Sequence, residues 1–295
     1  MNSLFPQGGL TRSLSSPRTL VNMVMTGLAF VCGVLALIPL LAVLYYIVIR
    51  GFSSLDIHIF TQLPPPPFGK NGGFGNAILG TLLMVGIAAI ISVPVGVLAA
   101  IYLSEFSSQR IARWIRFATN VLSGVPSIIA GVFAYGIVVL TLVKLNLGSY
   151  SALGGGVALA ILMLPIIVRT TDEALQLVSQ DLRQASIGLG STNLQTVILV
   201  VLPTALPAIV TGSILAIARA AGETAPLIFT ALFSSFWPDS ILKPTASLAV
   251  LVYNFATSPY QTWQSLAWAA SLILVFMVLI TSIIARWVTR KKDLI

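Results

Sequence analysis

An uncharged apolar run occupies residues 78–103 of the chain and reads ILGTLLMVGIAAIISVPVGVLAAIYL. A helix rises about 1.5 Å per residue, so a helix of about 20 residues crosses the roughly 30 Å of hydrocarbon in a bilayer. The run at 78–103 exceeds that length. It therefore predicts a transmembrane helix, and the fold of the remaining chain must suit a protein that is embedded in lipid.

Five further apolar segments have the composition of membrane spans. They lie at residues 20–49, 119–143, 152–169, 204–233 and 265–287. The whole chain has 295 residues, of which 57% are apolar and 8% are charged. A soluble domain contains about 25% charged residues, because its surface must be solvated. We therefore expect an all-α membrane protein of about six transmembrane helices without a soluble domain.

Basic residues are distributed unequally along the chain. Eleven lie at the termini or in the connections after the second and fourth spans, and four lie in the other connections. Cytoplasmic loops carry an excess of Lys and Arg, so this asymmetry places both termini in the cytoplasm. We expect a cytoplasmic tail at 1–19, a six-helix domain at 20–289 and a second tail at 290–295.

Metal and hydrolytic chemistry lack the residues that they require. The chain has one cysteine, Cys32, and one histidine, His58, whereas a metal site needs several ligands and a nucleophilic triad needs a placed base. The glycine clusters at 72–75 and 154–156 are not followed by the Lys-Ser/Thr of a Walker loop. We expect no metal or cofactor in this chain and no ATP hydrolysis by it.

Two outer connections have distinctive compositions. Pro64–Pro67 is a stiff polyproline stretch followed by the glycine-rich residues 69–75, which favours a spacer or, alternatively, a docking surface. The connection at about 234–264 contains four aromatic residues of the kind that mark a membrane interface. They are Trp237, Tyr253, Tyr260 and Trp263. We expect no substrate role for them.

The connection between the fourth and fifth spans, residues 170–203, is the longest on the predicted cytoplasmic side. It reads as two short helices separated by Gly190, which can adopt the left-handed conformation that ends a helix. The first helix places Leu182, Ala185 and Leu189 on one face. Ordered loops of this length are uncommon without a function, so the segment predicts a docking site for a partner.

The second helix of this connection has its own start and stop signals. Thr192 or Asn193 can cap its beginning. A helix usually ends before the residue that precedes a proline, so we expect this one to end before Pro203.

The spacing of residues 184–203 is similar to the EAA motif of ABC-importer permeases, which reads Glu-Ala-Ala, three residues, Gly, nine residues, Ile, one residue and Leu-Pro. The matching residues are Gln184, Ala185, Ser186, Gly190, Val200, Leu202 and Pro203. Gln replaces the motif's Glu, Ser its second Ala, and Val its Ile. The resemblance implies a coupling helix that docks into a separate ATPase subunit, with a weaker ion-pair contribution because the Glu is lost. The alternative is an amphipathic surface loop.

A charged pair lies inside the predicted fifth span. Arg219 and Glu223 are four residues apart and therefore share a helical face. An arginine at membrane depth costs at least ~2.5–3.5 kcal/mol, so it should be paired or line a cavity. Two interpretations stay open: a structural ion pair, or a cationic site for an anion, since the guanidinium fork matches phosphate oxygens. Gly222 and Pro226 would loosen the helix at this point.

Residues 219–227, RAAGETAPL, resemble the Arg-Ala-x-Gly-Glu-Thr signature of the permeases of bacterial phosphate ABC importers. The Ala-Pro-Leu continuation is closer to PstA-type than to PstC-type permeases. Residues 122–128, LSGVPSI, and 202–207, LPTALP, extend the likeness, which covers most of residues 75–290. The chain is thus identified as a member of the PstA-type permease family.

This resemblance implies the MetI-like architecture of type I ABC importers and an alternating-access pathway for inorganic phosphate. It implies a substrate or gating role for Arg219, Glu223 and Thr224. The implied partners are a homologous PstC-like permease, two PstB-like ATPase subunits that bind ATP and Mg, and a periplasmic PstS-like phosphate-binding protein. The implied location is the bacterial inner membrane.

Two alternatives to phosphate import stay open. A permease for another oxyanion, such as molybdate or sulfate, would share the six-helix plan and the inner connection. A polytopic membrane enzyme would need acids, histidines or metal ligands clustered at one membrane level, whereas the eight acidic residues of this chain are scattered.

Overall fold

The computed structural model describes residues 17–69 and 72–290, without the side chains of 285 and 288–290, and all regular elements in those ranges are helical. Most of the predicted terminal tails (1–16 and 291–295) and Lys70 lie outside the described residues. Within the described part, six helices are long and apolar enough to span a membrane. They are Pro17–Ser53, Gly75–Phe106, Ser127–Lys144, Ala152–Gln176, Asn193–Ala221 and Gln261–Ile284. The predicted all-α fold with six spans is confirmed.

The helices follow one another along the chain as α1 to α13. They are α1 Pro17–Ser53, α2 His58–Thr61, α3 Gly75–Ile101, α4 Gln109–Ser123, α5 Ser127–Ala134, α6 Leu140–Lys144, α7 Ala152–Gln176, α8 Gln180–Gly188, α9 Asn193–Thr196, α10 Leu202–Ala221, α11 Ala225–Thr230, α12 Leu248–Ala256 and α13 Gln261–Arg290. Three π-helical turns, Tyr102–Phe106, Tyr135–Val139 and Val197–Val201, continue α3, α5 and α9 without a break.

The chain divides into two units at Ile49. The first contains most of α1, in which no described residue from 17 to 49 is buried. A helix that is apolar all round and carries no charge in its interior suits contact with lipid.

The second unit is built around α3, α7 and α10. Their interface is formed by small residues such as Ala88, Ala160 and Ala216, with larger side chains such as Met163 and Ile167 between them. Without water to drive helices together, membrane helices associate through close packing of small residues. These three helices therefore form the rigid core on which the other elements are placed.

The predicted third span, 119–143, is wrong at its start. Residues 119–123 end the amphipathic helix α4, and the chain then leaves the helical path at Gly124–Pro126 before α5 begins. Proline lacks an N–H group and disfavours helical geometry at the residue before it, here Val125. Hydropathy alone does not register this break, because apolar residues lie on both sides of it.

The predicted fourth span, 152–169, continues as helix to Gln176. The charged residues that marked its predicted end have partners that keep the last turns helical. Asp172 pairs with Arg116, and Glu173 pairs with Arg169. The predicted inner connection at 170–203 is correspondingly shorter.

The predicted fifth span, 204–233, is wrong at both ends. The helix runs continuously from Asn193 to Ala221, and α11 follows a break at Gly222–Thr224. The expectation that the helix ends before Pro203 is also wrong. In the preceding π-helical turn, the N–H of Leu202 donates to Val197 O, five residues back. This wider turn displaces the carbonyl with which the ring of Pro203 would clash in a regular α-helix.

A short buried helix, α12, lies in the segment predicted as an outer loop. Its Phe255 stacks on Trp263, with ring centroids 4.7 Å apart and planes at 9°. Trp263 Nε1 donates a hydrogen bond to Pro65 O at 3.0 Å. The polyproline stretch is therefore packed against the helical unit and is not a free spacer.

The α5 and α11 helices touch through their backbones. A β-carbon added at Gly131 would lie 2.6 Å from the Cα of Pro226. Gly131→Ala should therefore force the two helices apart and destabilise the protein by about 1–3 kcal/mol, the usual cost of overpacking. The measurement is the melting temperature of the purified protein in detergent.

The matched control is Gly136→Ala, because a β-carbon at Gly136 would meet no atom within 4 Å. Equal melting temperatures for the Gly131 and Gly136 variants would contradict the backbone contact.

Candidate functional site

Two helix breaks that are distant in sequence border one cavity of about 220 Å³. One break separates α4 from α5, and the other separates α10 from α11. The third wall is the middle of α7. The lining residues are Leu122, Ser123, Val125, Pro126, Ser127, Leu162, Met163, Pro165, Ile166, Ala216, Arg219, Ala220 and Glu223.

The charged residues of this cavity are Arg219 and Glu223. Arg219 lies in the last turn of α10, where a cation suits the carbonyl end of a helix. Its side chain is 69% exposed, whereas that of Glu223 is 22% exposed. Arg219 Nε and Glu223 Oε1 are 3.9 Å apart, which exceeds the length of a hydrogen bond. The pair attracts, but the donors of the guanidinium remain available to another anion.

The backbone of the second break keeps these two residues close. The N–H of Gly222 donates to Arg219 O at 3.1 Å, and the N–H of Glu223 donates to Ala220 O at 3.2 Å. Thr224, the third residue predicted here, precedes α11 and does not line the cavity. Two of the three predicted pathway residues are therefore brought together on the cavity wall.

The sequence stretches 122–128 and 219–227 meet at this cavity, although nearly a hundred positions separate them. The stretch 202–207 lies at the opposite end of α10 and does not reach it. Two of the three stretches that carried the family resemblance therefore form one site.

The predicted coupling segment contains α8, which begins after the capping residue Ser179. Gly190 has φ +94°, and the N–H of Ser191 donates to Ser186 O at 3.2 Å, as in a left-handed helix end. Thr192 then forms a capping box with Gln195 at the start of α9. The predicted helix break at Gly190 and the cap at Thr192 are confirmed.

The face that was predicted to carry Leu182, Ala185 and Leu189 is exposed. Leu182 is 46% and Leu189 is 90% exposed, and Gln184 and Ala185 are exposed between them. Apolar side chains left in the open beside a polar segment are typical of an interaction surface.

The other residues that match the EAA motif lie elsewhere. Ser186 is buried, and its hydroxyl is hydrogen-bonded to that of Thr196 at 2.9 Å, so it joins α8 to α9. Leu202 packs against the inner apolar cluster, and Pro203 is exposed on the spanning helix. Of the matching residues between 184 and 190, Gln184, Ala185 and Gly190 therefore lie on the exposed side.

An ion pair that sequence reasoning missed joins Arg183 of α8 to Glu105 of the π-helical turn after α3. Their side chains are 14% and 7% exposed. Arg183 was interpreted only as a topology signal, and no local pattern connects it to a residue 78 positions away.

A second missed pair joins α4 to α7. Arg116 Nε and Nη2 donate to the two oxygens of Asp172 at 2.7 and 2.9 Å, and Gln176 donates to the same carboxylate at 2.9 Å. The hydrogen bonds to Asp172 raise the pKa of the Arg116 guanidinium. Together with Arg169 and Glu173, these residues line a cavity of about 280 Å³ in which the charges balance.

Among the described residues, no group of three or more His, Cys, Asp or Glu side chains could hold a metal ion. The polar side chains that line the site are those of Arg219, Glu223, Ser123 and Ser127.

Comparisons with known proteins give consistent matches. The family model described as "Binding-protein-dependent transport system inner membrane component" matches residues 92–293. The chain is 39% identical to the phosphate transport system permease protein PstA of Yersinia pestis, over 86% of this chain and 84% of the relative. It is 36% identical to PstA 1 of Mycobacterium tuberculosis strain H37Rv, over 96% and 93% of the two chains.

Two solved structures share the fold. A bacterial alginate ABC transporter in complex with an alginate-bound periplasmic protein gives a TM-score of 0.65 at 14% identity, over 95% of this chain and 98% of that one. The inward-facing methionine transporter MetNI gives 0.54 at 21% identity, over 73% and 92%. The fold is therefore that of MetI-like ABC importer permeases.

Proposed function

Because this chain belongs to the family of binding-protein-dependent transport system inner membrane components, we propose that it is the permease subunit of an ATP-driven importer of inorganic phosphate. It is a transport subunit and not an enzyme. The relatives at 36–40% identity carry phosphate transport in their names, which favours phosphate over molybdate or sulfate. The observation that carries the proposal is the placement of Arg219 on a cavity formed by two broken helices.

Phosphate chemistry suits this cavity. The guanidinium of Arg219 stays charged at every working pH and offers several N–H donors in a planar fork that matches two phosphate oxygens. Ser123 and Ser127 line the same cavity at the other helix break. A carboxylate repels an approaching phosphate, so the role that we assign to Glu223 is to hold Arg219 between transport events at the observed 3.9 Å.

One chain supplies half of the pathway in this proposal. Arg219 is 69% exposed, so the cavity is open on the side that a second, PstC-like permease would close. The family description, "binding-protein-dependent", supports a periplasmic PstS-like protein that delivers phosphate. The chain is a multi-pass inner-membrane protein, and the basic-residue asymmetry supports cytoplasmic termini.

The exposed face of α8 is the proposed docking surface for one of two PstB-like ATPase subunits, which bind the ATP and Mg. Closure of those subunits on ATP would draw the coupling helices together. The continuous helix from Asn193 to Ala221 connects this region to the cavity. Movement at α8 would thereby open the phosphate path alternately to the two sides of the membrane.

The proposed orientation predicts protease accessibility. Epitope tags at either terminus should be protected from external protease in intact spheroplasts, whereas a tag inserted beside the exposed Asp239 should be cut. All three tags should be cut after permeabilisation. Cleavage of a terminal tag in sealed cells would show that the orientation is inverted.

The proposed docking predicts a defect for Gly190→Val. The φ of +94° at Gly190 costs a β-branched residue on the order of 1–3 kcal/mol, and the end of α8 should move as a result. We expect the variant to insert in the membrane while the co-purified ATPase falls or transport becomes uncoupled. Both are measured on the complex and by phosphate uptake.

The control for this variant is Gly188→Ala, because a β-carbon there meets no atom within 4 Å and the backbone is helical. Normal uptake by Gly190→Val would show that the EAA-like spacing is incidental.

The proposed pathway predicts that the geometry of Arg219 matters as well as its charge. Arg219→Lys keeps the charge but loses the fork, so phosphate uptake should fall by roughly tenfold, and Arg219→Ala should abolish it. The decisive variant combines Arg219→Ala with Glu223→Ala, because removing both members of a pair leaves no uncompensated charge. We expect an assembled complex that does not transport phosphate.

Membrane levels and subunit composition serve as controls for these variants. If the double variant imports phosphate while each single variant fails, the pair is structural and the site lies elsewhere.

A further inference from the structure

The guanidinium of Arg183 joins three separate elements. Arg183 itself lies in α8, its Nη1 donates to Glu105 in the π-helical turn after α3, and its Nη2 donates to Leu175 O in the last turn of α7 at 2.8 Å. Among the described residues, this is the only ion pair made by α8.

The surroundings of this contact hold it in place. The Arg183 side chain is 14% exposed and that of Glu105 is 7% exposed. Ser104 donates a hydrogen bond to Glu105 at 3.1 Å, which supports the carboxylate from its other side. A charge buried to this degree is strongly destabilising when its partner is removed. Separating Arg183 from Glu105 in the folded protein is therefore costly.

A second contact ties α8 to the other side of the core. The hydroxyls of Ser186 and Thr196 are 2.9 Å apart, and both residues are buried. The exposed face of α8 carries Leu182 and Leu189, whereas Arg183 and Ser186 lie on the side that packs against the rest of the protein.

These two contacts lead to the two helices that form the walls of the Arg219 cavity. From Leu175, α7 runs back to Pro165 and Ile166, which line the cavity. From Thr196, the spanning helix runs forward to Arg219. The α8 helix is therefore connected by one hydrogen bond to α7 and by another to the spanning helix that carries Arg219.

We propose that Arg183 is a positioning residue for transport. Because it binds Glu105 and the carbonyl of Leu175 at the same time, α8 moves as one body with α3 and α7. The motion of the coupling helix is thereby transmitted to the phosphate pathway. This inference rests on the proposed function. Arginine suits the task because its planar fork reaches two acceptors on two elements, whereas a lysine ammonium is a single point of attachment.

The test uses the complete importer reconstituted in proteoliposomes, with phosphate uptake and ATP hydrolysis measured on the same preparation. Arg183→Lys and Glu105→Asp both keep the charges of the pair, so each should assemble and hydrolyse ATP within about twofold of the unaltered complex, while the ATP used per phosphate imported rises by roughly fivefold or more. A residue that only stabilises the fold would lower both rates together and leave that ratio unchanged.

Arg110→Lys is the matched control, because Arg110 is exposed on α4 and receives the same substitution. The charge exchange Arg183→Glu with Glu105→Arg should recover part of the coupling that either exchange alone removes. Unchanged uptake and an unchanged ratio in Arg183→Lys would overturn the inference, whereas absence of phosphate uptake by the unaltered complex would overturn the proposed function instead.

If the variants do not assemble, a distance measurement with Arg183 and Glu105 both intact tests the same inference. Spin labels at Gln180 of α8 and Leu98 of α3, both exposed, can be placed in a Cys32→Ser background because the chain has one cysteine. We expect the distance between the labels to stay constant between the nucleotide-free and ATP-trapped complexes. A change in that distance would show that α8 moves independently of α3 and would overturn the inference.

Discussion

The backbone can leave the helical path next to a membrane span only where its freed groups find partners in the protein or in water, because hydrocarbon offers none. The site of this permease depends on that constraint. At the first break, the N–H groups of Gly124 and Val125 donate to carbonyls three residues back, and the second break uses the same kind of bond at Gly222 and Glu223. Each break thus satisfies part of its own backbone, and both breaks border a common cavity. The backbone contact of α5 with α11 at Gly131 holds the two interruptions side by side.

Arg116, Arg183 and Arg219 differ in how firmly their carboxylate partners hold them. Arg116 makes two hydrogen bonds of 2.7 and 2.9 Å with Asp172, and Arg183 is buried with Glu105. Arg219 is 69% exposed and 3.9 Å from its carboxylate. Separating either of these pairs would leave a carboxylate that is at most 8% exposed without its counter-charge, which is costly. Arg219 has no such obstacle, and it is the arginine that lies on the cavity between the two breaks.

Hydropathy was sufficient to predict six spans, because each span is a local property of 18 or more consecutive residues. Glycine chemistry was likewise sufficient for the left-handed residue at Gly190. The start of the third span and both ends of the fifth were mispredicted, because the breaks lie within apolar sequence and the π-helical turn carries the helix past Pro203. The cavity, the short helix α12 and the Arg183–Glu105 pair depend on contacts between residues far apart in sequence. No periodicity records such contacts.

The charged pair Arg219–Glu223 lies across the end of a helix, and this determines how the two side chains interact. In an uninterrupted helix, residues four apart lie on one face at a nearly fixed Cβ separation, which favours pairing of Arg219 with Glu223. Here Arg219 belongs to the helix from Asn193 to Ala221, which at about 1.5 Å per residue is about 43 Å long. Glu223 lies beyond the end of that helix, in the connection to α11, and α11 is held by its contact with α5. The N–H groups of Gly222 and Glu223 donate to Arg219 O and Ala220 O, so the backbone of Glu223 stays attached to the long helix while its side chain is no longer placed by helical geometry. The break at Gly222 therefore does more than open a cavity, because it leaves the guanidinium and the carboxylate 3.9 Å apart without a hydrogen bond.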